Sequence, residues 1–193
     1  MATKPNIILI LMDQLRGDTI GAAGNPVVRT PNIDRLAAEG VTFTRCSTNS
    51  PLCMPARASL ISGQYVCEHG LWSHYTEADP HGPSHVRNIR DAGYHTAVIG
   101  KTHLYTHDPK TGHMSGLEGK LRDWGYQYSF ETSGIGGSTA LDSYYTDYLA
   151  EKKLLDTHRE YMRVYYRGSK KYLRPWETPP CPLPTEDHFE MYV

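Results

Sequence analysis

The sequence has no stretch of about 18 apolar residues, the length a helix needs to cross a bilayer. Met1-Ala2-Thr3-Lys4 runs directly into an apolar segment, without the charged and hydrophobic regions of a secretory leader. Neither a transmembrane helix nor a signal peptide is expected, and a cytoplasmic location follows by default. A surplus of positive charge is also lacking: 20 Lys and Arg face 21 Asp and Glu, for a net charge of −1 and a pI near 6.8. With no basic stripe to meet phosphates, neither nucleic acid nor a membrane is an expected partner. The cysteines, at 46, 53, 67 and 181, form no CxxC pattern of a zinc or redox site, and reduced thiols are expected at 46, 67 and 181.

What is present is a chain of 193 residues, enough for one sizeable core, with four segments that place reactive residue types beside start and stop signals. In the first, KPNIILILMDQ, an apolar run ends in an acid. That pattern predicts a buried parallel strand over residues 6–12 that delivers Asp13 as a metal ligand at its C-terminal end. Gln14 adds a neutral carbonyl oxygen, acceptable to a hard cation such as Ca²⁺ or Mg²⁺. An aspartate capping the next segment is the alternative. In the second, TPNIDRLAAEGVTF, Thr30 as cap, Pro31 at the first helical position and Gly40 at the end predict a compact helix, followed by a short strand at 41–43.

The third segment, SPLCMPARASLISG, holds Cys53, Pro55 and Arg57. Proline pre-sets φ near a helix start, and the guanidinium of Arg57 can pair with an oxyanion. Residues 57–63 read as a short helix ended by Gly63, its N-terminus aimed at an anion. A buried thiol beside a proline-started helix is the alternative. The fourth, YHTAVIGKTHL, predicts a strand over 95–100 running into Gly100, with Lys101 and His103 projecting from the turn beyond. A lysine suits a tetrahedral anion as a point charge, whereas a solvated lysine and a loop histidine are what the segment would mean alone.

Taken together, in this order and spacing, CxPxR, TPNIDRLAAEG and GKTHL resemble the motifs of type I sulfatases of the alkaline-phosphatase-like superfamily, over roughly the first 105 residues. The resemblance implies an α/β fold with a mainly parallel sheet flanked by helices, Asp13, Cys53 and Lys101 converging at its carboxyl edge. It implies that Cys53 is oxidised by a formylglycine-generating maturase to a formylglycine whose hydrate attacks the sulfur of a small anionic sulfate ester. Arg57 would hold the diol or an oxyanion, Lys101 would contact sulfate oxygens, and His103 would hydrogen-bond the diol. Asp13, Gln14 and Cys53 would hold a divalent cation, Ca²⁺ first, with Mg²⁺ or Mn²⁺ as alternatives. Asp13-Gln14 replaces the two aspartates common in the family, a variant associated with choline-sulfatase-like and phosphonate-monoester-hydrolase-like branches. His74, in GLWSH, stands where many relatives carry a GVxxN asparagine near the substrate, and is a candidate substrate-binding residue.

His69, His74, His81 and His85 could also be read as a zinc cluster, but His81 and His85 are the one helical HxxxH pair and Pro83 interrupts it. Residues 1–106 are expected to be the N-terminal part of the catalytic core, and 107–193 an insertion around the substrate pocket. There GIGGS reads as a surface loop, residues 143–172 as one or two amphipathic helices, and the proline-rich 174–184 as irregular. In relatives the remaining metal ligands, an Asp followed by Asn or His, and a further Lys and His lie downstream of anything here. The chain is therefore expected to hold part of an active site. Phosphonate monoester or phosphodiester hydrolysis is the alternative chemistry, a truncated fragment or binding subunit the alternative class, and self-association is expected.

Overall fold

The computed structural model describes residues 4–108, 110, 112–167 and 179–192, in two units, Met1–Thr48 and Asn49–Val193. In the first unit helix α1 spans Pro31–Glu39 and stops at Gly40, as its sequence signals require. Thr30 does not cap α1 with its own side chain. Its hydroxyl instead donates to Asp34 Oδ1 at 2.8 Å and accepts the Gly21 N–H at 2.8 Å, tying the helix to the 3₁₀ turn Gly21–Ala23.

Residues 6–12 are not a strand, which corrects the expectation for KPNIILILMDQ, and 41–43 form none either. An extended segment becomes a strand only when a neighbour takes its N–H and C=O groups, and the described residues supply none to it. Ile7, Ile8, Leu9 and Ile10 are 60%, 82%, 64% and 72% exposed. The apolar pattern is that of a buried strand; the burial is absent.

In the second unit the order is α2 (Cys53–Ser62), α3 (Val66–His69), α4 (His85–Asp91), β1 (Ala97–Gly100), α5 (Glu118–Trp124), β2 (Tyr128–Glu131), α6 (Gly134–Gly137), α7 (Tyr144–Glu151), α8 (Leu155–Arg167) and α9 (Phe189–Tyr192). Helix α2 begins at Cys53, four residues before its expected start. Pro55 explains this: at the third helical position its missing N–H is one that no helical carbonyl would have received, and the first bond runs from Ala56 N to Leu52 O. Met54, Ala58 and Ile61, spaced along one face, pack into a core with Leu71, Val86, Leu104, Tyr105, Leu121 and Trp124. Each large apolar side chain fully buried there contributes about 1.5–3 kcal/mol.

Strands β1 and β2 pair in parallel, Ala97 opposite Tyr128 and Gly100 opposite Glu131. The sequence reading anticipated β1 but not β2, because YSFE alternates too briefly to be distinguished from loop. The Thr96 hydroxyl donates to Gly125 O at 2.7 Å and so fixes the chain as it enters the sheet. A second core gathers Tyr145, Leu149 and Leu183 with Leu154, Leu155, Phe189 and Tyr192. Asp187, in the polar stretch Glu186-Asp187-His188, is buried beneath it and accepts from the Tyr148 hydroxyl at 2.5 Å and from Lys152. Helices α7 and α8 fill the expected amphipathic region as far as residue 167. The proline-rich stretch is irregular over 179–184, and its earlier part lies outside the described residues.

Candidate active site

Cys53 opens α2, and Arg57 follows one turn later on the same side of the helix, adjoining the face of the core-facing Met54 and Ala58. The Arg57 guanidinium donates to the backbone carbonyl of Lys101, immediately beyond β1. One bond therefore joins the helix of CxPxR to the turn of GKTHL. From the other side His74 Nε2 stands 3.2 Å from Cys53 Sγ, and ligand atoms of Cys53, His74 and His103 all lie within 4.8 Å of one another.

The turn after β1 is held from within by Glu131, the last residue of β2 and 1% exposed. Its carboxylate accepts from the Thr102 and Tyr105 hydroxyls and from the backbone N–H groups of Thr102 and His103. Burial pushes the Glu131 carboxyl up, and these donors partly offset it. Burial, then the neighbouring Glu131 charge, pushes the Tyr105 phenol up as well. On the outer side Glu77 accepts the Thr106 N–H at 3.0 Å, the Thr106 hydroxyl at 2.6 Å and Lys120 Nζ at 2.9 Å. His103 itself has φ 52°, a left-handed backbone that costs an ordinary residue about 1–2 kcal/mol. Anchors on both sides of the turn sustain it.

Four rings line up from the cysteine outward. His74 and His103 have centroids 5.1 Å apart, His103 and His107 5.2 Å, and Tyr105 meets His107 edge-on at 5.3 Å. Burial, with the positive charges of its neighbours, depresses His103 to about 3 and His107 to about 4. Both rings are neutral at ordinary pH. Nδ1 of His103 and Nε2 of His107 are buried without a hydrogen-bond partner among the described residues.

The segment GIGGS is not a surface loop. Gly134 begins α6 with φ +73°, and a Cβ added there would lie 2.9 Å from Lys101 Cδ. Only glycine both adopts that backbone and lets the lysine stem lie against it. Ser138, fully buried, donates to Ile135 O at 2.6 Å, so its oxygen accepts from Nε2 of the buried His158 at 2.7 Å.

The structure thus brings Cys53, Arg57, His74, Lys101 and His103 into one neighbourhood. Asp13 and Gln14 belong to Met1–Thr48, where Gln14 also has a left-handed backbone, φ 56°. The suggested zinc cluster does not form as written: His69 bonds Ser59 and the Leu71 N–H, His85 bonds Ile61 O, and His74 joins Cys53 instead. Sequence reasoning missed Glu131, Gly134 and His107. A faint signal existed for His107, four residues after His103; none existed for Glu131, whose role depends on strand pairing.

A model of the sulfatase family matches residues 5–179. An arylsulfatase of Clostridium perfringens is 40% identical over 103 residues, 53% of this chain and 21% of that protein. A choline-sulfatase of Rhizobium meliloti is 29% identical over 194 residues, covering 90% of this chain and 36% of that one. The chain thus spans between about a fifth and a third of the length of these curated relatives. The crystal structure of a phosphonate monoester hydrolase of Agrobacterium radiobacter superposes over 98% of this chain and 36% of its own, with a TM-score of 0.66 and 23% identity. That likeness makes the architecture α/β and alkaline-phosphatase-like.

Proposed function

We propose, for a chain that belongs to the sulfatase family, that it forms the nucleophile-bearing part of an enzyme hydrolysing sulfate esters. The observation that supports this reading best is the Arg57 bond to the Lys101 carbonyl, which sets two cationic side chains and His103 around position 53. A sulfate ester is a tetrahedral monoanion, and a site that offers fixed donors to it pays little reorganisation when charge shifts during reaction.

Position 53 fits the family's oxidised cysteine: it lies at a helix start, half-buried, with Arg57 one turn away and His74 in hydrogen-bond range. Formylglycine there, hydrated by one water to its geminal diol, would supply a hydroxyl nucleophile and a second hydroxyl for the release of sulfate. Arg57, already bonded to the turn, presents its guanidinium as an oriented donor rather than a mobile charge. The Lys101 stem lies against Gly134, and its ammonium group would contact sulfate oxygens. His103 is neutral, so it orients by hydrogen bonding through one ring N–H and one acceptor nitrogen, and takes up a second proton only when an anion beside it raises its proton affinity.

Asp13 and Gln14 offer a carboxylate and an amide oxygen, hard donors that suit Ca²⁺ and less tightly Mg²⁺ or Mn²⁺. A divalent cation in the complete enzyme would neutralise sulfate charge. Hydrolysis of phosphonate monoesters or phosphodiesters is the second reading. It is favoured by Gln14, which replaces one negative ligand, and by those substrates presenting the same monoanionic tetrahedron.

A steady-state comparison of an aryl sulfate, a phosphonate monoester and a phosphodiester on the complete protein tests both. The highest kcat/KM is expected for the sulfate ester. Turnover of none of the three, or turnover indifferent to Cys53→Ala, would overturn the proposal.

A further inference from the structure

The family's cation is a hard one, yet the three donors nearest to one another in this chain are soft or borderline: a thiol and two imidazoles. From their placement we infer that Cys53, His74 and His103 form a zinc site in the protein whose cysteine has not been oxidised. Tetrahedral Zn²⁺, with Zn–S about 2.3 Å and Zn–N about 2.0–2.1 Å, spaces its ligand atoms about 3.3–3.6 Å apart. Cys53 Sγ and His74 Nε2 are already 3.2 Å apart, and all three ligand atoms lie within 4.8 Å. Shifts of about 1 Å complete the set, and the exposed His74 side chain is free to make them. The buried Nδ1 of His103, without a partner among the described residues, is a polar atom for which a coordinate bond or a bound water would account.

Binding converts the Cys53 thiol to a thiolate, the S–H electron pair forming the Zn–S bond and the proton passing to solvent. Three protein ligands leave a fourth position for water. Arg57 and Lys101 oppose a divalent cation here, while the thiolate offsets one charge, so the site is weaker than a four-ligand structural one. Oxidation of Cys53 to an aldehyde removes the sulfur and with it the site. Zinc and the maturase therefore compete for the same atom, and zinc guards the thiol until maturation. The zinc site itself does not depend on the proposed reaction, whereas its competition with a maturase rests on that reading.

The test uses the 193-residue chain with Cys53 shown by intact mass to be unmodified. Zn²⁺ is titrated against a chromophoric chelator in millimolar Ca²⁺, Co²⁺ is used as a spectroscopic probe, and iodoacetamide labelling is followed by peptide mass. The expected result is one zinc per chain, undisplaced by Ca²⁺. A thiolate-to-cobalt charge-transfer band should accompany it, and alkylation of Cys53 should slow at least about tenfold while Cys46 and Cys67 are unaffected. His74→Ala, at an exposed position that the fold does not need, should weaken zinc at least about tenfold. Replacing Cys46, Cys67 and Cys181 together by serine should leave binding intact. Zinc that binds equally well to Cys53→Ser or His74→Ala, or an alkylation rate of Cys53 indifferent to zinc, would overturn the inference.

Discussion

Tyr105 donates its phenolic hydroxyl to Oε2 of Glu131, joining the turn that follows β1 to the last residue of β2. Thr102 occupies the other carboxylate oxygen. Neither glutamate oxygen is spare, and the turn that carries Lys101 and His103 is held by them. Glu131→Ala should therefore leave two buried hydroxyls without an acceptor, at about 1–3 kcal/mol each. Glu131→Gln, keeping one acceptor oxygen, should cost about half as much. Urea unfolding of the two variants checks this; equal stabilities for alanine and wild type would dismiss the anchor.

Cys53→Ala should lower turnover of the complete protein by at least about 1,000-fold, the usual scale for removing a nucleophile. Its near-ultraviolet circular dichroism should be unchanged, because the core-facing residues of α2 are Met54, Ala58 and Ile61. Cys53→Ser keeps one hydroxyl and lacks the second, so it should lose most activity at the release step. Peptide mass spectrometry of active protein should find the aldehyde at position 53, and fully active protein carrying an intact cysteine would refute the assignment.

Acid should destabilise the fold through His103, His107 and His158, which burial depresses to about 3, about 4 and about 4. The unfolded chain protonates these rings near pH 6.5, so between that pH and about 4 it binds more protons than the native state. Stability is thus fully present above about pH 6.5 and falls as pH is lowered toward the folded values. Denaturant midpoints measured from about pH 7.5 to 4.5 should decline, and ring C–H shifts in NMR should show the three histidines still neutral near pH 5.5. Imidazoles that titrate near pH 6.5 in the folded protein would contradict their burial.

Gly134→Ala should cost about 1–2 kcal/mol through its left-handed backbone alone. Its Cβ would also press on Lys101 Cδ, the flexible part of that side chain, so Lys101 should yield and KM for the sulfate ester should rise more than kcat falls. Gly119→Ala is the control. It sits in α5 with nothing near a new Cβ, and should stabilise by about 0.5–1 kcal/mol. A Gly134→Ala protein with wild-type KM would show that the contact does not aim the lysine.

Ile8→Lys combined with Ile10→Lys should reduce self-association of the chain made alone, since these residues sit 82% and 72% exposed in a continuous apolar run. Sedimentation across a concentration series reads the change; association that persists in the double variant would locate it elsewhere.

The local signals in this sequence carried as far as local physics allows. Pro31 and Gly40 delimited α1, and Gly63 ended α2. Those features depend on φ restriction, helical period and capping, which act within a few residues. Pairing is different. Nothing in YSFE announces that it, rather than residues 6–12, lies beside Ala97–Gly100, because a strand's partner is chosen by the hydrogen bonds and burial available in the folded chain. Glu131 and Gly134 gained their relation to the Lys101 turn only through that pairing. His74 likewise came within 3.2 Å of Cys53 across 21 residues of chain. The sequence alone determined which residue types could do chemistry, where α1 starts and stops, and where α2 ends. The tertiary structure decided which of them meet, since only long-range packing could bring a thiol, a guanidinium and two imidazoles to one place.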